Sequence, residues 1–73
     1  GSLVRCTIQN ITDSNGKLIK KVDREANFSV AQRDGRIYPP PELITELNLN
    51  GTEYFDITLI KLIRSNGKEI EIN

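Results

Sequence analysis

Two copies of the tetrapeptide Ser-Asn-Gly-Lys, at residues 14–17 and 65–68, constrain the fold of this 73-residue chain more than any other feature. Each copy stands between runs of aliphatic and β-branched residues. Asn-Gly in that setting is a strong hairpin signal, because glycine adopts positive φ without steric cost and asparagine tolerates it. The sequence therefore predicts one β-hairpin near each end of the chain.

The first hairpin pairs a strand over residues 3–12 with a returning strand that begins at Leu18 and runs to about residue 22. A two-residue loop would place Thr12 opposite Ile19. A three-residue loop, with Gly16 in the left-handed position of a bulge, would place Thr12 opposite Leu18. We favour the three-residue loop, since it puts the apolar residues of both strands on one face.

The second hairpin pairs the most apolar run, residues 53–64, with a returning strand over residues 68–72. A two-residue turn would place Ile63 opposite Ile70, whereas a bulged turn would place Leu62 opposite Ile70. The alternation of apolar residues is compatible with both, so this register stays open.

The segment between the hairpins is less regular. Residues 23–29 are compatible with a helical turn or a loop. Short strands are predicted over residues 28–32 and 36–38, and Asp34-Gly35 provides a turn between them.

A short helix over residues 41–49 follows the three prolines at 39–41. Pro41 suits the first helical position, because its missing N–H has no partner there. Asn50 or Gly51 is predicted to end the helix in the left-handed conformation. The apolar stripe of the helix comprises Leu43, Ile44 and Leu47.

Together these elements predict a single small α+β domain over residues 3–73, with Gly1 and Ser2 as a remnant of tag removal. The domain is a mostly antiparallel sheet of four or five strands, built from the two terminal hairpins, with one short helix packed on one face. The predicted core comprises Val4, Cys6, Ile8, Val22, Phe28, Leu43, Ile44, Leu47, Phe55, Ile57, Leu59 and Ile63.

The residue types argue against catalysis. The chain has no histidine and one cysteine, which excludes an intrachain disulfide, argues against a zinc site and removes the base that a serine or cysteine nucleophile requires. The glycines belong to the N-terminus and to turns, so no phosphate-binding loop is present. We predict a non-enzymatic protein without a cofactor, a metal or a small-molecule substrate, and with Cys6 in the core.

An unpaired cysteine is typical of a reducing compartment, which predicts a cytoplasmic protein. The longest apolar run is far shorter than the ~20 residues of a membrane-spanning helix, so no membrane association is expected.

The charge balance is even overall but differs between the two halves. Residues 1–36 carry seven basic and four acidic residues, whereas residues 37–73 carry three basic and six acidic residues. The favoured interpretation is that the halves neutralise each other and that lysines protect a sheet edge. The alternative is weak nucleic-acid binding by the basic residues of the first hairpin, which are Lys17, Lys20, Lys21 and Arg24.

The C-terminal strand provides the favoured functional hypothesis. Ile60 and Leu62 are predicted to lie on the face opposite Phe55, Ile57 and Leu59, and a chain this small cannot cover both faces. Tyr54 points away from Phe55 and is expected to be exposed. We therefore predict a protein-interaction module that uses Tyr54, Ile60 and Leu62, with a homodimer through the sheet as one form.

Short motifs follow one another in a defined order along most of the chain. They are Val4-Arg5-Cys6, Asp34-Gly35-Arg36, Glu42-Leu43-Ile44, Asn50-Gly51, Tyr54-Phe55 and residues 65–70. In this order they resemble a family of small bacterial proteins of unknown function, from which the three prolines at 39–41 depart. The resemblance implies a hairpin, an Asp-Gly turn, a short helix, two closing strands and a bacterial or phage origin. It implies no activity.

Overall fold

Within residues 1–72, which this computed structural model describes, five antiparallel strands form one sheet in the order β3-β2-β1-β4-β5. Asn73, the last residue of the predicted domain, lies outside the described residues. The sheet and its short helix agree with the predicted architecture, although the protein is mostly β. The elements are β1 (Leu3–Thr12), β2 (Leu18–Val30), β3 (Ile37–Tyr38), α1 (Pro41–Glu46), β4 (Tyr54–Ile63) and β5 (Glu69–Glu71).

Both Ser-Asn-Gly-Lys copies form the same three-residue loop. In the first, the Asp13 N–H donates to the Lys17 carbonyl at 2.9 Å, and the Gly16 N–H donates to the Asp13 carbonyl at 3.0 Å. The second loop repeats both hydrogen bonds at 2.8 Å. Gly16 has a φ of 82° and Gly67 a φ of 88°, which is the left-handed position of a bulged hairpin.

These loops set the registers of both hairpins. Thr12 lies opposite Leu18, so the predicted three-residue loop of the first hairpin is confirmed. Leu62 lies opposite Ile70, which is the bulged alternative of the second hairpin.

We expect Gly16→Ala and Gly67→Ala each to lower the free energy of unfolding by about 1–2 kcal/mol, because an alanine side chain is strained at positive φ. A Cβ at either position meets no atom within 4 Å, so the cost is conformational rather than steric. Urea denaturation measures the effect. Ser14→Ala and Ser65→Ala are controls in the same loops, and serine variants as destabilised as the glycine variants would contradict this explanation.

β2 is much longer than predicted. The returning strand expected over residues 18–22 continues to Val30, through the segment 23–29 that was expected to form a helical turn or a loop. A bulge permits this, because Gln9 of β1 stands opposite two residues of β2, one of which is Asp23 with a φ of 50°. The strand bends there instead of ending.

This bulge and a second register shift, between Ile11 and Thr12, together change the pairing of β1 with β2. An unbulged first hairpin would place Ile8 opposite Val22, but Ile8 lies opposite Arg24. On β1, the bulge at Gln9 brings Ile11 to the same face as Ile8.

The sheet therefore has an apolar face, here called the core face, and a polar outer face. The core face meets α1 through Leu43, and Phe28 of β2 lies across from Val4 of β1. Ile11 belongs to this core and is fully buried, although the sequence did not predict it. The buried set comprises Val4, Cys6, Ile8, Ile11, Phe28 and Leu43, and predicted members that are partly buried against it are Val22, Leu47, Phe55 and Ile57.

A second irregularity, in β4, changes which of its side chains face the core. Leu59 and Leu62 lie opposite Cys6 and Val4, so both are on the core face. The prediction that Leu62 faces away from Phe55 is therefore wrong. Ile63 lies on the outer face and is not the core residue that was predicted. Leu59 is on the predicted face but is 40% exposed.

The helix begins at Pro41, as predicted, but it ends at Glu46 instead of residue 49. Asn48 has a φ of 57°, and the N–H of Leu49 donates to the Ile44 carbonyl at 2.9 Å. Asn48 is thus the left-handed residue that ends the helix, in place of the predicted residues 50 or 51. Because α1 is so short, it covers only part of the core face.

Candidate functional site

An apolar groove of about 740 Å³ opens between α1 and the core face. Phe28 of β2 and Phe55 and Ile57 of β4 line it from the sheet, while Ile37 of β3 and Ile44 of α1 line it from the sides. Only Phe28 among these five is fully buried. The groove is therefore a continuation of the core that the short helix leaves accessible.

Two aromatic rings connect the strands on either side of β1. The ring centroids of Phe28 and Phe55 are 5.8 Å apart, and the rings meet edge to face at 88°. Aromatic pairs in this geometry contribute about 0.5–1.5 kcal/mol beyond their buried area. This packing holds the Phe28 and Phe55 side chains in place where they line the groove.

The rim of the groove is polar and holds one fixed charge. Among the described residues that line the groove, Glu53 is the only charged one. Its carboxylate accepts the backbone N–H of Asn50 at 3.0 Å and that of Gly51 at 2.9 Å. These hydrogen bonds, that from Asn50 first, lower the pKa of Glu53 below its ordinary value of 4.5. A negative charge therefore persists beside the groove at neutral pH.

We expect the carboxylate of Glu53 to contribute to the pH dependence of the protein's stability. The folded-state pKa of Glu53 is depressed, so its contribution is present above about pH 4.5 and is lost as the pH falls through the folded-state value. Glu53→Gln should be less stable than the parent protein at neutral pH, and the difference should shrink on acidification. Urea denaturation at a series of pH values measures this. A difference that stays constant with pH would contradict it.

Beyond the groove, the core face stays apolar and exposed towards β5. Leu59 is 40% exposed, Ile70 is 38% exposed and Ile72 is 45% exposed. Ile70 lies opposite Leu62 on the core face, and Ile72 follows two residues later. We call Leu59, Ile70 and Ile72 the C-terminal apolar strip. Because Leu59 follows Ile57 on the same face of β4, the strip extends the apolar surface of the groove.

The outer face has the opposite character. Its side chains pair across neighbouring strands: Arg5 with Glu25 at 2.8 Å, Gln9 with Thr58 at 2.6 Å, and Lys61 with Glu69 at 2.9 Å. Exposed contacts of this kind contribute little to stability, but they make most of this side of the sheet polar.

The three predicted interaction residues do not form one surface. Tyr54 is 62% exposed, as predicted, and lies opposite Thr12 on the outer face. Leu62 is partly buried on the core face. Ile60 is half-buried beside the irregularity of β4, where its carbonyl accepts the Ile72 N–H at 3.0 Å.

The four basic candidates are also divided. Lys20 lies opposite Ile11, on the core-face side of β2, whereas Lys21 lies opposite Asn10 on the outer face. Arg24 forms an ion pair with Glu46 of α1. Lys17 is at the end of the hairpin loop. The structure therefore does not assemble these charges into one continuous patch.

Cys6 is fully buried, and its thiol donates to the Val4 carbonyl at 3.6 Å. Burial raises the pKa of this thiol, which keeps it protonated and unreactive. We expect a thiol-specific reagent such as a disulfide dye to modify the native protein at least about a hundredfold more slowly than the denatured protein, because reaction requires the chain to open. Similar rates in the two states would contradict a core position for Cys6.

In the part of the chain that the structure describes, no three acidic or cysteine side chains gather closely enough to hold a metal ion. Nor does any described helix have the length and apolar content needed to span a membrane. The chain has no significant match among protein-family models, curated proteins or solved structures.

Proposed function

We propose that this protein is a non-catalytic protein-interaction module that receives apolar side chains of a partner protein in the groove. One observation carries the proposal: a groove of about 740 Å³, lined by core-type residues, stays open beside an exposed apolar strip. Contiguous exposed apolar surface on a small domain is typical of interaction sites. The groove offers a partner the same kind of contacts that the helix makes.

The lining favours binding over chemistry. A catalytic pocket brings together polar groups that act as acid, base or nucleophile. Here the carboxylate of Glu53 is engaged by its own loop, and the other polar side chains of the lining are the hydroxyl groups of Tyr38 and Thr45. This composition suits the recognition of apolar side chains, with Tyr38, 47% exposed, available at the rim.

Self-association through the outer face is not part of the proposal. It depended on Ile60 and Leu62 sharing the face opposite Phe55, and the irregularity in β4 removes that arrangement. A concentration-dependent mass in light scattering would show self-association by another surface.

Nucleic-acid binding remains the second candidate, but the division of Lys20 and Lys21 between two faces disfavours it. Binding to single-stranded DNA that weakens steeply with salt would support this alternative.

The test uses a displayed library of random peptides, selected for binding to the intact protein. Selected peptides should lose at least about tenfold in affinity for Ile44→Lys, because a charge would then stand in the apolar groove. Ile19→Lys is the matched control, since Ile19 is 47% exposed on β2 and does not line the groove. Circular dichroism confirms that both variants fold. Peptides that bind both variants like the parent protein would overturn the proposal.

A further inference from the structure

Among residues 1–72, β4 has a backbone edge directly beside the groove that no other strand pairs with. β1 pairs with β4 over its whole length, but β5 pairs only with Lys61, Leu62 and Ile63. Within residues 1–72, no strand pairs with residues 54–58 of β4 on the side away from β1. Such a stretch presents backbone N–H and C=O groups on which a further strand can form.

The other long edge of the sheet, formed by β2, is protected against the addition of a strand, unlike the edge formed by residues 54–58 of β4. β2 pairs with β3 only at Ser29 and Val30, so much of its length also faces no strand among the described residues. That stretch carries Lys20 and Lys21 and is bent by the bulge at Asp23. Charged lysines and bulges are the usual devices that prevent strand addition.

The open stretch of β4 has none of these devices. Residues 54–58 are Tyr-Phe-Asp-Ile-Thr, without lysine, proline or glycine, and β-branched and aromatic residues favour a strand. Phe55 and Ile57 lie on the core face and line the groove. An added strand would therefore place every second side chain on the same side as the groove.

The charges beside this edge indicate which side chains an added strand would carry on the outer face. On the outer face, the carboxylate of Asp56 accepts a hydrogen bond from the neutral side-chain amide of Asn10 at 3.3 Å. Glu71 of β5 lies opposite Lys61, on the same face, and is exposed. Outer-face positions of an added strand would thus lie among carboxylates, and basic side chains complement them.

We propose that the edge of β4 formed by residues 54–58 binds an extended segment of a partner protein as an additional strand. In this segment, apolar residues alternate with lysine or arginine: the apolar residues face the groove beside Phe55 and Ile57, and the basic residues face Asp56. Main-chain hydrogen bonds supply affinity in this binding mode, and the alternating side chains supply specificity. This inference rests on the proposed function, because it names the kind of segment that the groove receives.

The test begins with three synthetic heptapeptides of the same composition. The first alternates lysine and valine, with lysine at both ends. The second groups the four lysines and the three valines into two blocks. The third repeats the alternating sequence with its inner backbone nitrogens methylated. Fluorescence anisotropy of labelled peptides measures binding to the intact protein. We expect the alternating peptide to bind at least about tenfold more tightly than the other two, since only it combines the pattern with free backbone N–H groups.

Two charge-reversal variants locate the site. Asp56→Lys should weaken binding of the alternating peptide by about tenfold, because two like charges would face each other. Glu25→Lys is the matched control: it makes the same change in net charge on the same face, but on β2. Circular dichroism confirms folding of both. Equal weakening by the two variants would overturn the assignment to β4, since it would show a response to net charge alone.

The outcomes separate this inference from the proposed function. Equal binding of the methylated peptide excludes strand addition. Failure of the alternating peptide, while library-selected peptides still respond to Ile44→Lys, also overturns the inference but leaves the groove as an interaction site. Failure of the alternating peptide together with selected peptides that ignore Ile44→Lys overturns both.

Discussion

Phe28→Ala is expected to leave the protein largely unfolded at room temperature. Phe28 is 2% exposed, it packs edge to face on Phe55, and it holds the sheet side of the groove. Truncation of a buried phenylalanine to alanine costs about 3–5 kcal/mol. A single core in a chain of this length rarely supplies more than about 3–5 kcal/mol in total. The substitution therefore removes most or all of the stability.

Urea denaturation monitored by circular dichroism measures this effect. Tyr54→Ala is the control, because it also truncates an aromatic residue of the sheet, but at a position that is 62% exposed. We expect that control to change the free energy of unfolding by no more than about 0.5 kcal/mol. A Phe28→Ala protein as stable as Tyr54→Ala would show that the two phenylalanines do not form the centre of the core.

Ile11→Ala is expected to have the second largest effect, a loss of about 2–5 kcal/mol of unfolding free energy. Ile11 is fully buried, because the bulge at Gln9 returns it to the core face three residues after Ile8. In a regular strand it would face outwards together with Gln9, and its truncation would be harmless. The variant therefore tests the bulge itself.

The control for Ile11→Ala is Ile19→Ala, in which the same atoms are removed from a side chain that is 47% exposed. Urea denaturation should show a much smaller change for the control. Equally small losses of unfolding free energy in the two variants would contradict the bulge and would indicate that β1 alternates as a regular strand.

The features that the sequence predicted well have local causes. Asn-Gly in its flanking context led to both hairpins, because the positive φ of Gly16 and Gly67 is a property of the loop itself. Pro41 predicted the start of the helix, because the fit of proline to the first helical position is also a local property. Neither conclusion needs information about distant parts of the chain.

The errors arose where pairing with a distant strand decides the outcome. A bulge shifts the phase of every side chain that follows it, so Ile11, Leu62 and Ile63 were assigned to the wrong side or omitted. For Ile11 a signal is present: after Leu3, the apolar residues of β1 stand at positions 4, 6, 8 and 11, and the last interval is odd. Within β4 the comparable signal is Lys61, a charged residue that regular alternation from Phe55 and Ile57 would place on the core face.

The candidate site was the part least accessible to sequence reasoning. The groove exists because α1 ends at Glu46 and leaves Phe55 and Ile57 accessible, and Ile37 of the two-residue β3 completes its lining. The role of Glu53 follows from the loop conformation that presents the N–H groups of Asn50 and Gly51. Composition had indicated a binding protein rather than an enzyme, but the predicted residue Tyr54 lies on the other face.

The groove as the interaction surface is tested most directly by mapping chemical shifts of the ¹⁵N- and ¹³C-labelled protein as a selected peptide is added. We expect the largest changes at the amide and side-chain signals of Ile37, Ile44, Phe55 and Ile57, with the outer-face signal of Thr7 unchanged. Changes confined to the outer face, or to the first hairpin around Lys20, would contradict the assignment of the binding surface to the groove.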